Sequence, residues 1–295
     1  MISFYLRKAW LSCCVLFSLL LCTLASANLN AQTFTFTAIP DQDETRLQQR
    51  FDKVARYLEN KLSTEVRYLP VKSYSAAITA FRNNQVQLAW FGGLSGVQAR
   101  RLVPGSKAIA QGANDPFFKT FIIANNQTGL NKADHLPQTL GNYTFTFGSK
   151  GSTSGRLMPE FYLRQRFNRA PEDTFKRIGF SGDHSRTIAL VQSGAYDLGA
   201  VNYQVWQSEL AEGKVQPGKV KVIWESPTYP DYHWTIRGDV DQHWDHGLTL
   251  KVQSALLAID DPTLLQAFPR SRFVAANSSD YQRILDVAKT IGLID

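Results

Sequence analysis

A run of small and hydroxyl-bearing residues, Gly151-Ser152-Thr153-Ser154-Gly155, lies between a strand-like pattern and a helix-like pattern. The first backbone amides of a helix have no intrahelical acceptor, and they lie at the positive end of the helix dipole. The three hydroxyls add further donors at the same place. This turn therefore predicts a binding site for a tetrahedral oxyanion that requires no metal and no cofactor.

A plainer interpretation exists for the same residues, because serine is a common helix cap and Ser152 could serve only in that role. Three consecutive hydroxyls between glycines favour the anion site. Gly92-Gly93, at the end of another predicted strand, could likewise form a simple turn or let backbone amides approach the anion from the opposite side.

Catalysis is the less favoured alternative. A nucleophile elbow needs serine at the centre of a glycine-flanked turn, and Thr153 occupies that place here. A phosphate-binding P-loop also fails, because Lys150 precedes the hydroxyls instead of following a glycine. Only His243 and His246 have suggestive metal-ligand spacing. We expect no catalytic residues, metal or cofactor, and keep a secreted hydrolase with a hydroxyl nucleophile as a minor alternative.

The amino terminus has the pattern of a secretory signal peptide over residues 1–27. Arg7 and Lys8 precede an apolar run over 11–24, which is short for a bilayer span of about 20 residues, and Ala25-Ser26-Ala27 offers a cleavage site. All three cysteines lie in this segment, so the mature chain has no thiol or disulfide chemistry. We expect a soluble periplasmic protein; retention of the segment as an anchor is the alternative.

The charge of the chain is mildly basic, with 32 Lys and Arg against 25 Asp and Glu. Such an excess suits small anions as well as nucleic acid. The basic residues are scattered and are not interleaved with aromatic residues, and export also argues against nucleic acid. We therefore expect no nucleic-acid partner.

Strand and helix patterns alternate along the mature chain, which indicates an α/β protein with mostly parallel strands and a ligand near the strand ends. Strands are predicted over residues 33–39, 66–71, 86–91, 117–124, 143–147, 175–180, 198–201, 220–224 and 233–236. Helices are predicted over residues 44–62, 73–81, 153–167, 185–191, 204–210, 244–259, 262–268 and 280–291, with one more beginning at Gly92-Gly93.

Several short motifs occur in one order along almost all of the mature sequence: Ala38-Ile39-Pro40-Asp41, Tyr74-Ser75-Ala76-Ala77, Leu88-Ala89-Trp90-Phe91-Gly92-Gly93, the hydroxyl turn, and Asp197-Leu198-Gly199-Ala200-Val201. With these motifs the chain resembles the phosphonate- or phosphite-type periplasmic binding proteins of ABC importers. Within that family it is most similar to a branch assigned to selenate uptake.

The resemblance implies a type II periplasmic-binding-protein fold, with two lobes built on central mixed sheets and joined by two hinge crossings. We expect residues 28–125 and 226–295 to form lobe 1 and residues 126–225 to form lobe 2. The resemblance also implies closure around one small oxyanion, and an ABC permease with its ATPase at the inner membrane as partners. We expect the protein to act as a monomer.

The resemblance further implies a set of ligand-binding residues. They are Tyr74, Phe91, Gly92, Ser152, Thr153, Ser154, His184, Asn202 and Asp231. Each has a plainer interpretation: Tyr74 could pack in the first turn of its helix, His184 could cap a helix or lie on the surface, and Asp231 could be a turn residue. Their roles in ligand binding therefore depend on the resemblance.

Two positions depart from the family pattern. Phe91 lies where many relatives have a tyrosine, so its ring provides shape without a hydrogen bond. Gln204 lies where binders of aminoalkylphosphonates can carry a glutamate, which argues against a cationic tail on the ligand.

Asp231 distinguishes between candidate anions. A carboxylate inside an anion site repels a fully ionised ligand but accepts a hydrogen bond from a protonated one. Phosphite and phosphonates retain a proton near neutral pH, whereas sulfate and selenate do not. We therefore predict a phosphonate or phosphite ligand, with a selenate- or sulfate-type binding protein as the alternative.

Overall fold

The computed structural model describes residues 32–244 and 246–295. The predicted signal peptide, residues 1–27, lies outside them. All elements described below belong to one compact unit, residues 34–295.

The first sheet combines strands from the amino-terminal part of this unit with strands near its end. Its order is β11-β4-β10-β3-β1-β2. The strands are β1 (Phe34–Ala38), β2 (Val66–Tyr68), β3 (Leu88–Phe91), β4 (Lys107–Gly112), β10 (His233–Ile236) and β11 (Phe273–Ala275). β1 pairs in parallel with β2 and β3, whereas β10 is antiparallel to β3 and β4, and β11 to β4.

The second sheet is formed by the middle of the chain, in the order β7-β6-β8-β5-β9. Its strands are β5 (Thr120–Asn125), β6 (Thr144–Phe147), β7 (Arg177–Phe180), β8 (Leu198–Asn202) and β9 (Val220–Glu225). β6 is parallel to β7 and β8, and β5 is antiparallel to β8 and β9. Both sheets are therefore mixed, whereas the alternation of patterns alone indicated mostly parallel strands.

Helices surround both sheets. They are α1 (Glu44–Leu62), α2 (Tyr74–Arg82), α3 (Gly93–Leu102), α4 (Met158–Phe167), α5 (Pro171–Thr174), α6 (His184–Gln192), α7 (Tyr203–Ala211), α8 (Val240–His243), α9 (Leu248–Leu257), α10 (Pro262–Ala267) and α11 (Gln282–Thr290). Every predicted strand coincides with an observed one. The predicted helix over 244–259 is shorter, because the chain reaches α9 only after Gly247, whose φ of 87° is readily adopted only by glycine.

The chain passes between the sheets twice, through residues 113–119 and 226–232. The predicted lobe 1 extended to residue 125, but β5 pairs in the second sheet, so this strand was assigned to the wrong side. The signal that was missing is its pairing with β8 and β9, which lie far along the chain. Both crossings lie beside the predicted ligand residues.

The core of the first sheet is aromatic. Trp90 stacks on Tyr232, with ring centroids 5.6 Å apart, and also contacts Trp234 and Phe268. Large buried rings of this kind contribute much apolar area and fix the orientation of their neighbours. Tyr232 is the last residue of the second crossing, so this packing holds the crossing against the first sheet.

Candidate ligand-binding site

The hydroxyl turn opens a helix, as predicted, but its first turn is a π-helix over Thr153–Leu157 that continues into α4. Ser152 is its cap: the side-chain oxygen accepts a hydrogen bond from the Gly155 N–H at 2.9 Å. The Leu157 N–H donates to the Ser152 carbonyl at 3.0 Å, five residues back. Such single π turns are frequent at functional sites because they change where side chains and amides point.

The start of α3 faces this turn. The Gly93 N–H donates to Asp231 Oδ1 at 2.8 Å, and the Leu94 N–H donates to the Thr153 hydroxyl at 3.0 Å. A Cβ on Gly92 would lie 3.0 Å from Asp231 Oδ1 and 3.3 Å from Thr153 Oγ1. The absence of a side chain at Gly92 therefore lets two helix starts, one beside each sheet, approach the same point.

Asp231 is buried beside both helix starts. Burial raises the pKa of its carboxyl to about 7, although the hydrogen bonds from Gly93 and Thr153 act in the opposite direction. Its second oxygen, Oδ2, is buried and has no hydrogen-bond partner among the described residues. This carboxyl group is thus able to hold or accept a proton near neutral pH.

His184 lies at the first position of α6 and is fully buried. Its Nδ1 accepts a hydrogen bond from the Asn202 N–H at 3.3 Å, so the proton of the neutral ring is on Nε2. Burial lowers the pKa of His184 to about 4, with Asp41 opposing this shift. The ring is therefore a neutral Nε2–H donor, and this nitrogen has no acceptor within residues 32–244 and 246–295.

The ring of His184 lies against the hydroxyl turn. Its Cε1 atom is 3.0 Å from the position that a Cβ on Gly155 would occupy. A nitrogen that already carries a proton does not act as a general base toward Thr153. The geometry therefore favours donation to an anion over activation of a nucleophile.

Tyr74, at the start of α2, reaches the turn from the side of the first sheet. Its Cβ is 3.0 Å from the position that a Cβ on Gly151 would occupy. The hydroxyl is buried within weak hydrogen-bonding reach of the Ser152 side chain, and it makes no well-formed hydrogen bond in the described part of the chain. Burial raises the pKa of this phenol well above its usual value, so it is protonated and can donate.

Two residues that sequence reasoning missed connect these elements. Tyr232 donates a hydrogen bond to Asp41 Oδ2 at 2.8 Å and accepts one from Asn202 Nδ2 at 3.1 Å. The Asp41 carbonyl also accepts from the His184 N–H at 3.0 Å. The sequence did contain a signal for each residue. Asp41 belongs to one of the family motifs, and Tyr232 directly follows the predicted ligand residue Asp231.

The remaining predicted residues are near the site but have other contacts. Ser154 is buried, with its side chain in hydrogen-bonding reach of the Tyr229 hydroxyl and its carbonyl accepting from Thr120 at 2.8 Å. The ring of Phe91 packs edge-on against Phe81, in the core of the first sheet. Asn202 uses its side-chain oxygen to cap α7, through the Gln204 N–H at 2.7 Å.

The site residues do not form a metal centre. No group of three or more His, Cys, Asp or Glu side chains in the described ranges could hold a metal ion. Backbone amides, hydroxyls, a neutral imidazole and a phenol surround the turn instead, and these are donors for an oxyanion.

In sequence, residues 36–281 of the chain match the family model of the periplasmic substrate-binding proteins of phosphonate ABC transporters. The chain belongs to this family. Because its members are binding components of importers, the chain is a binding protein and not an enzyme. Membership also implies export to the periplasm, a small ligand, and a membrane permease and ATPase as partners.

Two relatives in sequence support this assignment. The chain is 40% identical over 272 residues to a probable ABC transporter phosphite binding protein of Prochlorococcus marinus, strain MIT 9301, covering 90% of this chain and 92% of the relative. It is 27% identical over 208 residues to the phosphonates-binding periplasmic protein of Escherichia coli K12, covering 70% and 61%.

Solved structures of family members have the same fold. The Prochlorococcus marinus protein in complex with methylphosphonate matches with a TM-score of 0.85 and 39% identity, over 90% of this chain and all of that one. A binding protein of a Pseudomonas aeruginosa phosphonate transporter matches with a TM-score of 0.75 at 20% identity, over 87% and 85%, which supports the fold alone. The expected type II fold, with two lobes and two crossings, is confirmed.

Proposed function

We propose that this family member captures a phosphonate or phosphite monoanion between its two lobes and delivers it to an inner-membrane permease and ATPase. The named ligands of its relatives support this class: one is a probable phosphite binding protein, and its solved structure holds methylphosphonate. The chemistry of the site supports it independently.

One observation carries the proposal: three buried polar atoms without partners in the described residues surround the hydroxyl turn. They are Tyr74 Oη, His184 Nε2 and Asp231 Oδ2. A buried polar group without a hydrogen bond costs about 1–3 kcal/mol, so such atoms are rarely left unpaired without a functional reason. An anion bound here would satisfy all three.

The types of these atoms select the charge state of the ligand. Tyr74 and the neutral His184 donate, and with the hydroxyls and first amides of the turn they suit the oxygens of a tetrahedral anion. Asp231 is an acceptor when ionised, so it needs a ligand oxygen that carries a proton. A phosphite or phosphonate monoanion has both kinds of oxygen, whereas sulfate and selenate have only acceptors.

We also propose how the lobes and the ends of the chain are used. The lobe boundaries would follow the crossings at 113–119 and 226–232, so that the starts of α3 and α4 meet on the ligand only after closure. Residues 1–27 would act as the cleaved signal peptide, and the mature protein as a monomer.

A calorimetric comparison of anions tests the proposal. We expect methylphosphonate or phosphite to bind at least about tenfold more tightly than sulfate or selenate at pH 7.5, a difference of about 1.4 kcal/mol. Thermal shifts with the same anions provide a second measurement, because a ligand that binds only the folded state raises the melting temperature. Equal or tighter binding of selenate would support the alternative ligand class instead.

A further inference from the structure

A second polar groove of about 850 Å³ lies between α1 and α7, which belong to different lobes. Its lining includes four cationic side chains, Arg46, Arg50, Lys53 and Arg270, against one acidic side chain, Glu212, and it also includes Gln204. A groove in which cationic side chains predominate attracts anions, and guanidinium groups bind carboxylates and phosphates with paired hydrogen bonds.

Arg50 differs from the other arginines of the groove. Arg270 forms an ion pair with the buried Asp115 at 2.6 Å, and Arg46 is paired with Glu212. Arg50 is only 6% exposed, and its buried Nε–H has no hydrogen-bond partner among the described residues. The charge of the Asp41 carboxylate favours the charged form of Arg50 without forming an ion pair with it, so the N–H donors of the guanidinium remain available to an external anion.

The aromatic contacts of Arg50 do not occupy these donors. Its guanidinium carbon lies 5.8 Å from the ring centre of Phe51 and 5.6 Å from that of Phe268. A cation–π contact uses the face of the guanidinium plane, whereas its N–H donors lie within the plane. The buried Nε–H remains without an acceptor in the described part of the chain.

Tyr232 separates the groove from the hydroxyl turn. Its hydroxyl bonds to Asp41 and Asn202, and its ring lies 5.2 Å from the guanidinium carbon of Arg270. None of the three hydroxyl residues of the turn lines the groove. Gln204, the position where binders of aminoalkylphosphonates can carry a glutamate, does line it, so the groove adjoins the tail side of the first site. An anion bound to Arg50 would therefore lie beside the first site and not at the hydroxyl turn.

We propose that this groove binds a second, multiply charged anion with carboxylate or phosphate groups, in which Arg50 is the central ligand and Arg46 and Lys53 are additional contacts. Because the lining comes from α1 and α7, the anion touches both lobes. It is therefore expected to stabilise the closed arrangement and to increase the affinity of the first site.

Titration of the exported chain with citrate and with pyrophosphate tests this second site, and the two probes distinguish carboxylate from phosphate recognition. Each is added with and without saturating methylphosphonate. The proposal expects binding of at least one probe under both conditions. It is overturned if neither probe binds, or if methylphosphonate competes with the probe, because the anion then occupies the first site.

Two variants of α1 provide the matched comparison. Arg50→Gln should weaken probe binding at least about tenfold, which is about 1.4 kcal/mol, whereas Arg56→Gln should leave it unchanged. Arg56 is exposed on the same helix and does not line the groove, so both variants lose one charge. Equal weakening in both would reduce the effect to general charge attraction and contradict the proposal.

A third variant keeps the test decisive if Arg50→Gln fails to fold. Lys53 is exposed and lines the groove. Lys53→Gln should weaken probe binding about threefold or more relative to Arg56→Gln, and no difference between these two would contradict the site.

Discussion

The Thr153 hydroxyl accepts a hydrogen bond from the Leu94 N–H at 3.0 Å, and this bond joins the start of α3 to the start of the helix after the hydroxyl turn. The two helix starts lie beside different sheets, and the first amides of α3 donate to Asp231 and Thr153 at this point. An anion bound here, as proposed, would contact elements beside both sheets, so its binding would favour the closed arrangement.

Loss of the Thr153 hydroxyl should therefore weaken ligand binding. Thr153→Val keeps the shape of the side chain but removes the acceptor for the Leu94 N–H and the hydrogen bond to Asp231, and both of these groups lie at the proposed anion site. Ser152→Ala removes the cap on the Gly155 N–H. We expect each variant to lose about 1–3 kcal/mol of binding free energy, measured by calorimetry with methylphosphonate.

Thr290→Val is the matched control for Thr153→Val. Thr290 is exposed in α11, and its hydroxyl donates to the Asp286 carbonyl of the same helix. Unchanged affinity of the Ser152→Ala, Thr153→Val double variant would argue that the turn does not hold the ligand.

Substitution of Asp231 should change selectivity more than total affinity. Asp231→Asn can still accept from the Gly93 N–H, but it presents an amide donor where the Oδ2 acceptor was. We expect weaker binding of methylphosphonate and phosphite and relatively stronger binding of sulfate and selenate. Calorimetric titration with all four anions measures this ratio, and an unchanged ratio would remove the protonation argument.

The link between lobes through Tyr232 gives a third prediction. Tyr232→Phe leaves the ring on Trp90 but removes the hydroxyl between Asp41 and Asn202. The Asp41 carboxylate would then be buried with neither oxygen bonded. We expect a loss of about 1–3 kcal/mol in the free energy of unfolding and weaker methylphosphonate binding.

Urea unfolding and calorimetry measure these two effects. Tyr143→Phe is the control, because the Tyr143 hydroxyl bonds to the Thr128 carbonyl at 3.0 Å, within the second lobe. Equal affinity in the two variants would show that the Tyr232 hydroxyl does not contribute to closure.

The sequence predicted those features of the site that depend on neighbouring residues. The hydroxyl turn needs only a strand end, five residues and a helix start, all continuous in the chain. His184 and Asp231 were predicted through the family resemblance. Asp41 and Tyr232 were missed because their hydrogen bond joins residues 191 positions apart, and neither local pattern indicates it.

The same limit applies to the fold. β4 contains Ala108, Ala110 and Gly112, and its strand-forming tendency is weak. β11 has three residues. Both exist because partners distant in sequence pair with them, and β5 joined the second sheet for the same reason. Long-range pairing of this kind cannot be read from hydrophobic periodicity.

Buried His184 and Asp231 should give opposite pH dependences of stability in the ligand-free protein. The folded-state pKa of His184 is lowered to about 4, so its stabilising effect is present above its usual pKa of 6.5 and is lost as pH falls through 4. The folded-state pKa of Asp231 is raised to about 7 from 3.8, so folding is favoured below that range and disfavoured as pH rises through 7.

Urea unfolding of the parent chain, His184→Gln and Asp231→Asn at pH 4.5, 6.0 and 7.5 separates these effects. Relative to the parent, His184→Gln should become more stable as pH falls, by up to about 3 kcal/mol, because the variant need not keep an imidazole neutral. Asp231→Asn should gain stability in the opposite direction, as pH rises. Parallel pH profiles for all three proteins would show that neither side chain is buried as described, and would also weaken the case for a neutral donor and a protonatable acceptor around the anion.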